Sequence, residues 1–142
     1  MRFYINILTT YFPDLDPPYD AYYKQILEQI ELAEELGWEC FMFNEHHFLG
    51  YGGLVPNPAV LLAAAAARTS RIRLGPCIAI LPLRHPLQTA EEYAMVDAVS
   101  GGRLEFGIGS GNTDLDYRVF GLSREGDRER LDEALKIILK AW

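Results

Sequence analysis

The segment WECFMFNEHHF, residues 38–48, joins an apolar strand pattern to a cluster of ionisable side chains. Its first part, Trp38 to Phe43, is an almost continuous apolar run, as expected of a strand covered on both faces. Polar residues follow at once, at the carboxyl end of the strand, where parallel α/β folds place their working residues. The segment therefore predicts a buried parallel strand that leads into a functional loop.

Strand and helix patterns alternate on both sides of this segment. Further strands are predicted at Phe3–Leu8, Ile72–Leu81 and Leu104–Ile108. Helices are predicted from Tyr23 to Leu36, from Ala59 to about Thr69, from Pro86 to about Ser100, and from Leu131 to Trp142. The order β-α-β-α-β-α-β-α predicts an α/β fold with a parallel sheet.

The number of units leaves two architectures open. Four βα units in 142 residues amount to half of a (βα)₈ TIM barrel, which usually has roughly 250 residues. The same pattern fits a complete four-stranded open α/β domain. Because the chain ends at Trp142 inside an amphipathic pattern, we expect residues 1–142 to be one partial barrel domain, truncated after the fourth unit.

Composition narrows the class of protein. Hydrophobic residues make up 49% and charged residues 23%, as in folded soluble domains, and the net charge of −7 disfavours nucleic-acid partners. No signal peptide is recognisable, and the longest apolar run, Ala59–Ala67, is too short to span a bilayer. Cys40 and Cys77 lack metal-ligand spacing and fit a reducing compartment. We expect a cytoplasmic protein without nucleic-acid or membrane partners.

The three histidines of the chain all fall on one predicted rim. His46 and His47 follow Glu45 after the second strand, and His85 comes just past the third. Imidazoles beside a carboxylate can transfer protons near neutral pH. Local hydrogen bonding or helix capping is the plainer alternative. A metal site is disfavoured, because adjacent residues on an extended segment point to opposite sides.

A glycine-rich loop, Gly109-Ser110-Gly111, follows the fourth strand. Glycine lets the backbone approach a flat ring or a phosphate closely. A dinucleotide-binding fingerprint is not met, because Asn112 follows and the next helix pattern begins more than ten residues later. A plain turn remains the alternative.

Four motifs together resemble the bacterial luciferase-like, flavin-dependent monooxygenases. They are Glu45-His46-His47-Phe48, Leu81-Pro82-Leu83-Arg84-His85-Pro86, Ser100-Gly101-Gly102-Arg103 and Asp116-Tyr117-Arg118-Val119-Phe120-Gly121. The pattern follows the luciferase α chain from the first strand to about Gly121. The resemblance implies the N-terminal half of a (βα)₈ TIM barrel that binds reduced FMN, or coenzyme F420 in some members, at its carboxyl-terminal rim.

The resemblance also implies an activity. In this family a flavin reductase supplies reduced flavin, which reacts with O₂ to a C4a-hydroperoxyflavin that oxygenates a small organic substrate. We expect the 142-residue chain alone to be inactive. Three alternatives stay open: a flavin- or F420-binding oxidoreductase, a non-catalytic flavin-binding relative, and a metal-dependent hydrolase in which His46 and His85 share an ion.

Individual roles follow from the same resemblance. His46 matches the catalytic histidine, and Glu45, His47 and His85 would shape the substrate pocket. Cys77-Ile78 matches a non-proline cis peptide beneath the flavin ring. Gly109, Ser110 and Gly111 match the loop that approaches the flavin and its phosphate. Gly109 and Ser110 stand where the luciferase α chain has a cysteine and a phosphate-binding arginine, which leaves F420 open.

The second helix carries five consecutive alanines, Ala63–Ala67. Such small side chains bury little area, so this helix is expected to make a poor barrel face and a close contact with another helix. High helix propensity is the alternative explanation for the alanines. The resemblance implies a homodimer or heterodimer through the second and third helices.

Overall fold

The computed structural model describes residues 2–142 and consists of alternating strands and helices. The strands are β1 (Tyr4–Ile7), β2 (Cys40–Phe43), β3 (Arg73–Pro76), β4 (Ala79–Ile80) and β5 (Ile108–Gly109). The helices are α1 (Tyr19–Glu35), α2 (Pro58–Ala66), α3 (Pro86–Ser100), α4 (Asp114–Val119) and α5 (Asp127–Ala141). A 3₁₀ turn, Leu81–Leu83, precedes α3. In residues 2–142, none of these helices has the length and apolarity needed to cross a bilayer.

Every strand pairing is parallel. The order β1-β2-β3 forms one sheet, in which Phe41 of β2 lies opposite Ile5 and Leu74. Strands β4 and β5 form a separate parallel pair, and a bridge between Leu74 and Leu104 connects the two groups. The prediction of an α/β fold with parallel strands is confirmed.

The core lies between the first sheet and the helices that cover it. Phe41, Phe43 and Leu74 point from the strands toward Ile30 of α1 and Leu62 of α2, and each is at most 2% exposed. Burial of such a side chain stabilises the fold by about 1.5–3 kcal/mol. Strand β2 therefore reads as an apolar run, because most of its residues are buried.

The predicted third strand, Ile72–Leu81, is wrong as one element. It divides at Cys77, which is joined to Ile78 by a cis peptide bond, as expected at this position. The two parts pair with different neighbours: the Cys77 N–H donates to Phe43 O at 2.7 Å, and the Ala79 N–H donates to Gly107 O at 2.8 Å. The chain therefore leaves the first sheet at this bond and enters the second.

The interpretation of the alanine run also needs correction. Ala65 and Ala66 are 1% and 4% exposed and belong to the core, so α2 does form a packed face. Its small side chains let α2 pack closely against α3 and β3. The helix ends at Ala66, earlier than the predicted Thr69. Helix α4, with six residues, was not predicted, because it is too short to show helical periodicity.

Candidate active site

A cleft of about 360 Å³ opens where β2, β4 and β5 end. Its lining residues come from the loops after β2 and β5, from the link between β3 and β4, and from the end of β4: Asn44, Glu45, His46, Cys77, Ile78, Ile80, Ser110, Gly111 and Asn112. Parallel strands bring their carboxyl ends to one edge of the sheet, so motifs that are far apart in the sequence meet here. The cleft is the structural counterpart of the predicted rim.

His46 is held by a buried carboxylate. Its Nδ1 lies 3.0 Å from Oδ2 of Asp116, a residue of α4 that is 1% exposed. The other oxygen, Asp116 Oδ1, accepts the backbone N–H of His47 at 2.7 Å. Among residues 2–142, Nε2 of His46 has no hydrogen-bond partner, so it is the ring nitrogen left for a ligand in the cleft.

Glu45 joins the loop after β2 to the segment after β4. Its Oε2 accepts the backbone N–H of Ile80 at 3.3 Å, while Oε1 lies 3.1 Å from His47 Nε2 and 3.3 Å from Arg84 Nη1. Glu45 is 2% exposed, and an unpaired carboxylate at that depth would be strongly destabilising. The network of Glu45, His47 and Arg84 therefore fixes the two loops relative to each other.

Arg84 stays charged in this network. Burial lowers its pKa, but the carboxylate of Glu45, together with Tyr93 and Glu92, outweighs that effect and raises the pKa above its ordinary value. A second ion pair, from Arg84 Nη2 to Glu92 Oε2, continues toward the surface. Burial raises the pKa of the neighbouring Tyr93, whose hydroxyl has no hydrogen-bond partner in the described part of the chain. Arg84 therefore compensates the buried charge of Glu45.

The glycine-rich loop packs directly on the residues that follow the cis peptide. A Cβ atom at Gly109 would collide with Cδ1 of Ile78, and a Cβ at Gly111 would lie 3.1 Å from Cγ2 of Ile80. Gly111 also has a φ of +75°, a conformation that favours glycine. The backbone conformation therefore favours glycine at position 111, whereas a side chain at position 109 would have to displace the end of the Ile78 side chain.

A model of the luciferase-like monooxygenase family matches residues 1–142. The chain belongs to this family. Limonene 1,2-monooxygenase of Rhodococcus erythropolis is 37% identical over 114 residues, which are 80% of this chain and 29% of that protein. The oxygenase component of the flavin-dependent trigonelline monooxygenase of Acinetobacter baylyi is 32% identical over 122 residues, 84% of this chain and 34% of that protein.

Solved structures confirm the luciferase-like fold. The monooxygenase RslO1 of Streptomyces bottropensis superposes with a TM-score of 0.95 at 37% identity, over 100% of this chain and 43% of that one. The oxygenating constituent of 3,6-diketocamphane monooxygenase of Pseudomonas putida, in complex with FMN, superposes with a TM-score of 0.89 at 24% identity. The match covers 100% of this chain and 40% of that one. The coenzyme F420-dependent tetrahydromethanopterin reductase of Methanopyrus kandleri superposes with a TM-score of 0.66 at 33% identity. The match covers 86% of this chain and 30% of that one. The chain spans less than half the length of these proteins.

Most of the residues expected in a luciferase-like site meet at the cleft. Glu45, His46, Cys77, Ile78, Ser110 and Gly111 line it, and Gly109 lies behind Ile78. His47 is buried behind Glu45, and its ring packs edge-on against the ring of Phe120, with 4.7 Å between the ring centroids. The structure does not bring His85 to the cleft: its side chain is exposed, at the residue that precedes α3.

Three further residues of this luciferase-like site were not assigned a role from the sequence. Asp116 and Arg84 stand inside two of the motifs that carry the resemblance, which was the available signal. Asn44, directly after β2, lines the cleft, and its buried Oδ1 has no hydrogen-bond partner among residues 2–142. An unpaired buried acceptor is costly, so a ligand that offers an N–H group fits beside it.

The described residues contain a second, larger cleft but no candidate metal cluster. Among residues 2–142, no group of three histidine, cysteine or acidic side chains could hold a metal ion. A larger cleft, of about 870 Å³, lies at the amino-terminal ends of the strands. Its charges pair with one another, as in the contacts of Arg2 with Glu39 and of Arg73 with Glu105.

Proposed function

We propose that this chain forms the flavin site of a luciferase-like monooxygenase that uses reduced flavin and O₂ to oxygenate a small organic substrate. The observation that carries the proposal is the cleft in which His46, Cys77, Ile78 and the glycine-rich loop meet. FMN is the proposed cofactor. When bound, reduced flavin supplies the electrons that activate O₂.

The residues of the cleft fit a flat, polar ring. Cys77 and Ile78 would contact the ring, and the buried Oδ1 of Asn44 would accept a hydrogen bond from a ring N–H. Ser110 and Gly111 would hold the phosphate end through backbone N–H groups and the serine hydroxyl. These contacts need no large rearrangement, because the loop is already fixed by the hydrogen bond from Tyr117 Oη to Ser110 O at 2.6 Å.

His46 is the proposed catalytic residue. Its Nε2 can hold or move a proton at the cleft, while Asp116 occupies Nδ1. The Glu45, His47 and Arg84 network keeps the surrounding loops in place, which helps to exclude water from the reacting atoms. A positioned acid–base group of this kind contributes about 10²–10⁴-fold to a rate.

Coenzyme F420 is the second candidate. No lysine or arginine of residues 2–142 lines the cleft, and Ser110 stands where the luciferase α chain has a phosphate-binding arginine. The 33% identity to an F420-dependent reductase supports the same alternative. A flavin-binding protein without turnover is compatible with the cleft as well.

The proposed partners follow from the relatives. Because the trigonelline enzyme is an oxygenase component, we propose that a separate flavin reductase supplies reduced flavin here. We also propose a homodimer or heterodimer through α2 and α3. Val60 on α2 and Met95 on α3 are 69% and 67% exposed, and an apolar groove of about 340 Å³ lies beside Val60 and Ala64.

Anaerobic titration with reduced FMN and reduced F420, followed by fluorescence or calorimetry, tests the cofactor. We expect one of them to bind, and Asn44→Leu to weaken its binding about fivefold to tenfold, the effect of one lost hydrogen bond. The matched control is Gln88→Leu, which removes an exposed amide on α3 outside the cleft. Binding of neither cofactor to the parent chain, or equal affinity in both variants, would contradict the assignment.

A further inference from the structure

Asp116 contacts two adjacent histidines, but it contacts the imidazole ring of only one of them, His46. Oδ1 accepts the backbone N–H of His47 at 2.7 Å, and Oδ2 lies 3.0 Å from Nδ1 of the His46 ring. The His47 ring instead contacts Glu45. Each histidine thus has its own carboxylate, and the orientation of the His46 ring depends on Asp116.

The direction of the hydrogen bond at Nδ1 follows from elementary chemistry. An ionised carboxylate accepts hydrogen bonds and donates none, so Nδ1 of His46 must carry the hydrogen in this contact. A neutral imidazole has one N–H and one lone pair. With the hydrogen on Nδ1, the lone pair is on Nε2, the nitrogen without a partner among residues 2–142.

The packing of the loops holds the ring in this arrangement. Asp116 lies in the first turn of α4 and is 1% exposed, so water cannot readily replace it as the acceptor. A Cβ atom at Gly52 would lie 3.0 Å from Cδ2 of His46, so the loop after β2 packs closely against the ring.

We propose that Asp116 is a positioning residue that holds neutral His46 as the Nδ1–H tautomer, so that Nε2 accepts a proton from a ligand in the cleft. The identity of that ligand, substrate or cofactor, rests on the proposed function, whereas the tautomer does not. In this arrangement His46 begins as a proton acceptor. A ring with the opposite tautomer would present a hydrogen-bond donor to the cleft instead.

Nitrogen-15 NMR of the histidine side chains tests the proposal, because a protonated ring nitrogen resonates far upfield of a bare one. Spectra of the 142-residue chain at a pH where the ring is neutral should show His46 as the Nδ1–H tautomer. In Asp116→Asn, the amide oxygen keeps the bond from the His47 N–H, which turns the amide NH₂ toward His46 Nδ1. The tautomer should therefore reverse to Nε2–H.

The matched control is Asp114→Asn. Asp114 lies on the same helix, but its side chain is 80% exposed and its Oδ1 lies 3.8 Å from Arg124 Nη1, so the His46 tautomer should not change. An Nε2–H tautomer in the parent chain overturns the proposal even if Asp116→Asn does not fold. An unchanged Nδ1–H tautomer in a folded Asp116→Asn variant overturns it as well.

The same samples separate this proposal from the proposed function. If neither FMN nor F420 binds the parent chain, the cofactor assignment is wrong. The predicted tautomer and its reversal are still tested independently by the NMR spectra. If a cofactor binds but the tautomer is Nε2–H, the flavin site stands and the role of Asp116 is wrong. As a spectroscopic signature, the tautomer also distinguishes positioning from a general loss of stability.

Discussion

Glu34, near the end of α1, binds the loop that precedes β3, and its contribution to the free energy of unfolding can be predicted quantitatively. Its carboxylate accepts backbone N–H bonds from Ser70, Arg71 and Ile72 at 3.0, 2.6 and 2.7 Å. Burial opposes its ionisation, but these bonds and that of the Ser70 hydroxyl outweigh it and lower the pKa of Glu34 from 4.5 to about 2. One side chain thus anchors the loop that enters β3 to helix α1.

The lowered pKa sets the size and the pH range of the effect. The interval from 4.5 to about 2, at about 1.36 kcal/mol per pH unit, corresponds to about 3 kcal/mol of folding free energy. Because the carboxylate is partly accessible to water, we expect about 2 kcal/mol. The pKa is lower in the folded chain, so this contribution is complete above pH 4.5 and is lost as the pH falls toward 2.

Urea unfolding of Glu34→Gln measures this contribution. The variant should lose about 2 kcal/mol of unfolding free energy at pH 7 and somewhat less than half of that at pH 3, which lies between the unfolded and the folded pKa of Glu34. Glu35→Gln is the control, because Glu35 is the exposed neighbour on the same helix. An equal loss at both pH values, or an equal loss in the control, would refute the reasoning.

Two further predictions concern activity and assembly. In a form of the protein that supports turnover, His46→Ala should retain cofactor binding and lower product formation by about 10²-fold or more. Single-turnover product yield measures this effect, and an undiminished yield would show that His46 is not the catalytic residue. Ala64→Glu, on the exposed side of α2, should dissociate a helix-mediated dimer in light scattering without unfolding the chain. Ala65→Glu is unsuitable for that test, because Ala65 is buried and a charge there should destabilise the monomer. The same oligomer in the parent and in Ala64→Glu would exclude this interface.

Apolar runs and helical periodicity were sufficient to predict the order of the main elements. They failed at Ile72–Leu81 because hydrophobicity reports burial and does not report which strand a segment pairs with. Leu74 before the cis peptide and Ala79 after it are both fully buried, and the change of partner occurs between them. Pro82 lies in the 3₁₀ turn that replaces the predicted end of this strand, and proline has no N–H to donate to a ladder.

In the candidate site, too, the positions of residues near a strand end could be predicted from the local sequence, whereas contacts between distant segments could not. Residues that lie close after the end of a strand, such as His46 after β2 and Ser110 after β5, could be placed at the rim because the strand restricts their position. His85 could not, because the 3₁₀ turn at Leu81–Leu83 separates it from β4 and leaves its side chain exposed. The contact of His46 with Asp116 joins residues 70 positions apart and has no periodicity to reveal it. An aspartate in a short polar helix has the same local sequence signature whether it faces water or a histidine, so its role depends on the tertiary fold.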